Sequence, residues 1–170
     1  MQQANTVKIA IVMGSDSDWP TMQPCKDLLS QFGLACDVRV LSAHRTPDAV
    51  AEFARTAQEQ GYRLIIAAAG MAAALPGVIA AHTILPVIGV PIASGTFGGF
   101  DALLSIAQMP PGVPVACVAV NGARNAAVLA AQMIGMGEPD VARKLQEYKA
   151  SLAAEVVRQD QSLRGQIAGK

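Results

Sequence analysis

Val7-Lys8-Ile9-Ala10-Ile11-Val12-Met13 runs straight into Gly14-Ser15-Asp16-Ser17-Asp18-Trp19-Pro20. An apolar, β-branched run that stops at a glycine and a string of hydroxyl and acidic residues predicts a buried strand, a turn and a helix start. At such a strand terminus, hydroxyls, free backbone N–H groups and a positive helix end meet, and together they bind phosphate without a basic side chain. Simple capping by Ser17 or Asp18, with Pro20 in the first turn, accounts for much of the string but not for the Gly14-Ser15 ahead of it. The predicted helix reaches about Phe32. Pro24 falls inside it, where a proline costs about 3 kcal/mol and kinks the helix.

The same unit recurs along the chain. Gly33 ends the helix, and Cys36 to Val40 forms a second strand that delivers the chain into Leu41-Ser42-Ala43-His44-Arg45-Thr46-Pro47-Asp48. Pro47 to Gln60 is amphipathic, with Val50, Phe53, Ala54 and Ala57 inward and Glu52, Arg55 and Glu59 outward, and Gly61 stops it. Leu64 to Ala69 is strand three, followed by Gly70-Met71-Ala72-Ala73-Ala74-Leu75-Pro76-Gly77, a loop of small residues that lets backbone N–H groups approach a ligand or lets a helix pack tightly. Val87 to Val90 is strand four, with Pro91 to Gly99 a flexible segment behind it. Val113 to Val120 is strand five, and Asn121-Gly122-Ala123 turns into a helix from Arg124 to Ile134.

Five strand–helix alternations predict an α/β domain with a parallel sheet covered on both faces, in the order 2-1-3-4-5. Residues 1–170 read as one domain, its core at 7–134 and a helical tail at about 138–166. Along the tail, Val141, Leu145, Tyr148, Leu152 and Val156 make one apolar face, to be covered by a neighbouring subunit or left on a solvated helix. Ligands in such folds sit outside the carboxyl ends of the strands where the order reverses. The turns after strands one, two and three therefore converge there.

That convergence singles out His44. Imidazole exchanges protons near neutrality, and the guanidinium beside it pairs with phosphate or carboxylate, so the two suit proton transfer on an anionic substrate. The plainer reading is a solvated turn in which Thr46 caps the helix that Pro47 opens.

Composition narrows the function classes. The chain has 170 residues and a formal net charge of zero, which speaks against a nucleic-acid surface. Between Arg63 and Arg124 the only formally charged residue is Asp101. Membrane insertion wants about 20 uninterrupted apolar residues, and Gly70, Pro76, Gly77, Pro86, Gly89 and Pro91 break this run. Buried strands explain part of it. The helices around Leu75 to Thr83 and Ala102 to Gln108, however, lack a charged outer face, which predicts a homo-oligomer built on this central third. Cys25, Cys36 and Cys117 form no metal-ligand spacing and read as core fillers in a reducing cytoplasm. The first residues, Met1 to Thr6, show no signal peptide pattern. His82, on the apolar third helix, reads as a packing residue.

Gly14-Ser15-Asp16-Ser17-Asp18-Trp19, Ser42-Ala43-His44-Arg45-Thr46-Pro47-Asp48, Leu75-Pro76-Gly77, Pro86-Val87-Ile88-Gly89-Val90-Pro91 and Leu104-Ser105-Ile106-Ala107-Gln108-Met109-Pro110 together resemble the N5-carboxyaminoimidazole ribonucleotide mutase family of bacterial purine synthesis, class I of the phosphoribosylaminoimidazole carboxylase catalytic subunits. The resemblance spans Val7 to Ile134 in unbroken order. It implies a three-layer flavodoxin-like fold, a cytoplasmic homo-octamer with no metal or organic cofactor, and a small nucleotide as substrate. The implied reaction moves a carboxylate from the exocyclic nitrogen of the imidazole nucleotide to C4 through released and recaptured CO2. By motif, the resemblance makes His44 the general acid/base, puts Ser15 near the migrating carboxylate and Asp18 at the ribose hydroxyls, and gives the phosphate to Ser17, Ser42 and Arg45. Gly70, Ala72 and Leu75 would bind from the third loop.

Two departures stand out. The family usually reads Gly-Gly-Ala-Ala-His-Leu-Pro-Gly where this chain has Gly70-Met71-Ala72-Ala73-Ala74-Leu75-Pro76-Gly77, so a second loop histidine is missing and a glycine has become methionine. A Gln-Ser pair is here Ala93-Ser94. Three rival readings follow. A relative that carboxylates aminoimidazole ribonucleotide directly usually carries lysine after the histidine, which Arg45 argues against. A non-catalytic nucleotide-binding relative is suggested by the altered loop, and an FMN-binding flavodoxin-like protein would be yellow.

Overall fold

The computed structural model describes residues 7–168, and the Met1 to Thr6 segment read for a signal lies outside them. Strands β1 (Lys8–Met13), β2 (Ala35–Val40), β3 (Tyr62–Gly70), β4 (Val87–Ile92) and β5 (Ala116–Cys117) alternate with helices α1 (Trp19–Gln31), α2 (Pro47–Thr56), α3 (Leu75–His82), α4 (Phe100–Ala107) and α5 (Ala123–Gly135), and α6 (Pro139–Ala168) follows. The sheet order is β2-β1-β3-β4-β5, as expected from the alternation. The pairings are parallel, with Met13 level with Val40 on one side and with Ala68 on the other.

Residue alternation along the strands builds two cores. Ile9, Ile11 and Met13 join Leu64, Ile66 and Ala68 against α1, α5 and the start of α6. Ala10 and Val12 join Ile65, Ala67 and Ala69 against α2, α3 and α4. Covering both faces is why the strands read as continuous apolar runs, and each fully buried Ile or Leu contributes about 1.5–3 kcal/mol. Gly89 in β4 is needed for this packing, because Ile106 of α4 fills the place its side chain would occupy.

Four observations refine the expectations. β5 forms ladder pairs only at Ala116 and Cys117, not from Val113 to Val120. Pro110, Pro111 and Pro114 lack N–H groups, and so does Pro91 on the facing strand. α2 ends at Thr56, and the chain turns on to Gly61 at φ 85°. Pro24 sits early in α1, on the turn after Pro20, so the bond it forfeits is the one to the Pro20 carbonyl near the helix start. On α6, Val141 and Leu145 are buried and Tyr148 meets the Phe32 ring edge-on at 5.5 Å, but Leu152 and Val156 are exposed. The helix outruns the body that covers its first half.

Ile84, Phe97, Phe100 and Leu104 are exposed around α3 and α4, Ile84 at 87%. α3 carries no Asp, Glu, Lys or Arg, and α4 carries only Asp101 in its first turn. Among the described residues, no helix is long and apolar enough to cross a membrane.

Candidate functional site

The loops after β1, β2, β3 and β4 enclose one hollow of about 410 Å3 at the carboxyl ends of the strands. A hollow of about 450 Å3 elsewhere is lined by residues of α6 alone and gathers nothing from the sheet.

After β1, Ser15 caps a 3-10 turn over Asp16–Asp18 and accepts from the Ser17 N–H at 3.3 Å, and the Ser17 hydroxyl donates to Ser15 Oγ at 2.8 Å. Ser15 thus caps the 3-10 turn, while Asp18, one of the two residues expected to cap α1, holds the N-cap position of that helix without a side-chain capping bond. Gly14 donates its N–H to Ala68 O at 3.2 Å, which fixes this turn to the centre of the sheet. Burial raises the Asp18 carboxyl above its ordinary pKa, against hydrogen bonds from the Ser15 backbone and the Ser17 side chain.

After β2, the His44 turn closes on itself. Thr46 donates its N–H to Ser42 O at 2.8 Å, and its hydroxyl both donates to that carbonyl and accepts from the Ser42 N–H at 3.1 Å. Thr46 holds the N-cap position of the helix that Pro47 opens, as the plainer reading has it, but its hydroxyl is spent on Ser42 and makes no capping bond to α2. Arg45 Nε donates to Ser42 Oγ at 3.2 Å and Nη2 to Gly14 O at 2.8 Å, joining this turn to the one after β1. His44 lies at the lining of the hollow and is exposed in the single chain.

After β3, Gly70, Ala73, Ala74 and Leu75 line the hollow, and so does Met71 with φ 55°, a backbone region that disfavours a side chain. After β4, Ser94 completes the wall. Of the expected site residues, Ser15, Ser17, Asp18, Ser42, His44, Arg45, Gly70 and Leu75 come together here, whereas Ala72 is exposed and outside the lining. Reading by residue type misses Ala43 and Ala69 as wall groups, whereas Met71 and Ala74 belong to the loop of small residues already expected at the site. Apolar side chains carry no signal of their own in a loop.

His44 is the one histidine of this lining, since Ala74 stands at the N-cap of α3. His82 is half-buried at the other end of α3, facing a surface hollow shared with Arg55, Gln58 and Thr83 rather than the core, so it is not the packing residue expected. Among the described residues, no three His, Cys, Asp or Glu side chains gather to hold a metal ion. Cys25 is buried with its thiol pushed up to about 12 by that burial, in keeping with a core filler, while Cys36 and Cys117 are half-buried.

Comparison with known proteins places this arrangement. The family model described as AIR carboxylase matches residues 8–155. N5-carboxyaminoimidazole ribonucleotide mutase of Thermotoga maritima is 50% identical over 156 residues, covering 92% of this chain and 91% of that protein. The protein of the same name from Mycobacterium tuberculosis is 48% identical over 163 residues, covering 96% and 93%. The crystal structure of Treponema denticola PurE superposes with a TM-score of 0.83 at 29% identity, covering 92% of this chain and 98% of that one.

Proposed function

The chain belongs to the AIR carboxylase family, and from that premise we propose that it is an N5-carboxyaminoimidazole ribonucleotide mutase, an isomerase of purine biosynthesis. Near 50% identity to proteins of that name along most of both chains supports the reaction. The observation that carries the mechanism is the single imidazole at the mouth of a hollow whose other polar groups suit an anionic nucleotide.

In this reading the phosphate lies at Ser17, Ser42 and Arg45. The guanidinium spends two donors on Gly14 and Ser42 and keeps its remaining N–H groups for a phosphate oxygen. Asp18 accepts from the ribose hydroxyls, and Ser15 lies near the carboxylate that moves. Protonated His44 gives its proton to the exocyclic nitrogen as the N–C bond breaks and CO2 leaves. C4 of the imidazole then attacks the trapped CO2, forming the new C–C bond and a tetrahedral carbon. His44 takes the C4 proton back and the ring regains aromaticity. The proton given in the first half returns in the second, so one group with a pKa near the working pH serves both. Gly70, Leu75 and their neighbours wall off water that would otherwise capture the CO2. The reaction assigns no step to a metal or an organic cofactor.

The nearly uncharged surface of α3 and α4, with Asp101 its one carboxylate and Ile84, Phe97, Phe100 and Leu104 exposed, supports a homo-oligomer, and the family pattern supports an octamer in the cytoplasm. Residues 1–170 act as one domain in this reading. Arg45 in place of lysine favours the mutase over direct carboxylation.

The test is an assay on N5-carboxyaminoimidazole ribonucleotide beside one on aminoimidazole ribonucleotide with bicarbonate, together with His44→Asn. The wild type should turn over only the first at a useful rate. The variant should lose turnover by about 100-fold or more, the range of general acid–base catalysis, and keep its nucleotide affinity. Unchanged turnover in His44→Asn removes the mechanism, and conversion of neither substrate removes the function.

A further inference from the structure

The hollow has two chemically different halves. The loops after β1 and β2 bring Ser15, Ser17, Asp18, Ser42, His44 and Arg45. The loops after β3 and β4 bring Ala69, Gly70, Met71, Ala73, Ala74, Leu75 and one polar side chain, Ser94. Among the described residues the Ser94 hydroxyl takes part in no hydrogen bond within the protein, although the residue is half-buried.

The fold goes to some length to put that hydroxyl there. Ser94 Oγ occupies the place where a side chain on Gly70 would begin, and the Ile92 carbonyl lies 3.2 Å from the same point. One residue further along both loops the arrangement is reversed: the Met71 side chain lies 3.6 Å from where a Cβ on Gly95 would stand. Each loop offers a glycine to the other's side chain. Just before Ser94, the Ala93 N–H donates to Asn121 Oδ1 at 2.9 Å, and Asn121 donates its own N–H to Pro91 O at 2.8 Å from a backbone at φ 57°. Gly99, at φ 89°, lets Ala93 approach so closely that its absent Cβ would lie 3.0 Å from Ala93 Cα. A hydroxyl held this firmly, without a partner, over an otherwise apolar floor is pre-organised for a ligand.

We propose that Ser94 is a further substrate-binding residue, whose hydroxyl donates to the migrating carboxylate at the β3–β4 end of the hollow. The inference rests on the function proposed above. β4 is separated from β2 by β1 and β3, so with strands about 4.8 Å apart these two strands stand about 14 Å from each other and their loops line opposite sides of the hollow. A nucleotide whose phosphate is at Arg45 and whose base lies beside His44 and Ser15 turns its carboxylate toward Ser94 on the far wall of the same hollow. The carboxylate at that end meets Ala73, Ala74 and Leu75, which offer no side-chain donor. Ser94 supplies one from the facing loop.

The experiment is calorimetric titration of the full chain with two probes, 4-carboxy-5-aminoimidazole ribonucleotide and 5-aminoimidazole ribonucleotide, which differ by the carboxylate. Ser94→Ala should weaken the carboxylated nucleotide by about tenfold, the usual loss for a hydrogen bond to a charged group, and leave the other unchanged. Equal weakening of both nucleotides, or of neither, overturns the assignment while leaving the mutase reading intact. A wild type that binds neither nucleotide overturns the mutase reading and the Ser94 assignment with it.

Discussion

Arg45 Nη2 donates to the Gly14 carbonyl at 2.8 Å, a bond between residues 31 apart in sequence that ties the turn after β2 to the turn after β1. Through it, the position of His44 is set relative to the Ser15 turn instead of by its own loop alone. The second bond of the same guanidinium, from Nε to Ser42 Oγ, makes the tie planar and two-pointed. A planar fork can do this while presenting further N–H groups outward; an ammonium cannot.

Arg45→Lys therefore separates charge from geometry. The positive charge stays, but one ammonium cannot reach both Gly14 O and Ser42 Oγ in this geometry and still face a phosphate. Substrate affinity should fall about tenfold, with a loss of stability below about 1 kcal/mol because the tie is solvent-exposed. Steady-state kinetics and thermal melting check it. A kinetically silent replacement would mean that Arg45 acts only as a charge.

Much of this geometry is legible in the sequence, and the failures have physical causes. The four strands that carry the site begin and end within two residues of expectation, because their β-branched runs are interrupted by turn residues such as Gly14, Gly61 and Pro86, even for β2, which lies at the sheet edge and is largely exposed. β5 is shorter than its hydropathy suggests: Val113 to Val120 is apolar enough, but hydropathy does not register that Pro114 and Pro91 withhold ladder donors. The apolar face of α6 is covered only along its first half, and Leu152 and Val156 are left for a neighbouring subunit or for solvent. Periodicity marks Leu152 and Val156 as apolar, yet a helix of 30 residues extends past the body that buries Val141 and Leu145. The positive φ of Met71 has no sequence signal, since nothing in a methionine asks for it. Asn121 could have been read, because asparagine before glycine often adopts that region.

Met71 in the left-handed region costs about 1–2 kcal/mol relative to a residue without Cβ. Glycine at this position would remove that strain and gain about 0.4–1 kcal/mol of unfolded-state freedom against it. Met71→Gly should thus stabilise the chain by up to about 1 kcal/mol, read from the denaturant midpoint. The contact with Gly95 would be lost, so turnover should drop while the fold gains. A clear fall in stability would show that the Met71–Gly95 contact outweighs the backbone strain.

Cys25 is a sharper case of chemistry suppressed by packing. Its thiol is pushed up to about 12, chiefly by burial and next by Cys36. At pH 8 only about one part in ten thousand is thiolate, the form that alkylates. Iodoacetamide on the native protein should leave Cys25 unmodified over a period that consumes free cysteine completely, and guanidinium should expose it. Rapid native labelling of Cys25 would show that α1 opens locally.

Asp18 gives a dependence of stability on pH whose sign runs against the usual carboxylate. Burial dominates its raised pKa, so between the unfolded and folded values the native state holds more protons than the unfolded one. Stability then falls as pH rises through that interval and stays lower above it. A half-buried charge kept at a stability cost is what a binding site demands and a core would discard. Asp18→Asn removes the titration, so the variant should melt above the wild type at pH 7, and that difference should shrink as the pH is lowered toward about 4, the ordinary carboxylate range. The same variant should bind nucleotide more weakly, since an amide accepts less strongly from ribose hydroxyls than a carboxylate. Melting curves for both proteins across this range decide the matter. If the wild type gains on the variant as the pH rises, the Asp18 carboxylate is stabilised by its hydrogen bonds more than it is penalised by burial, and its retention needs no functional reason.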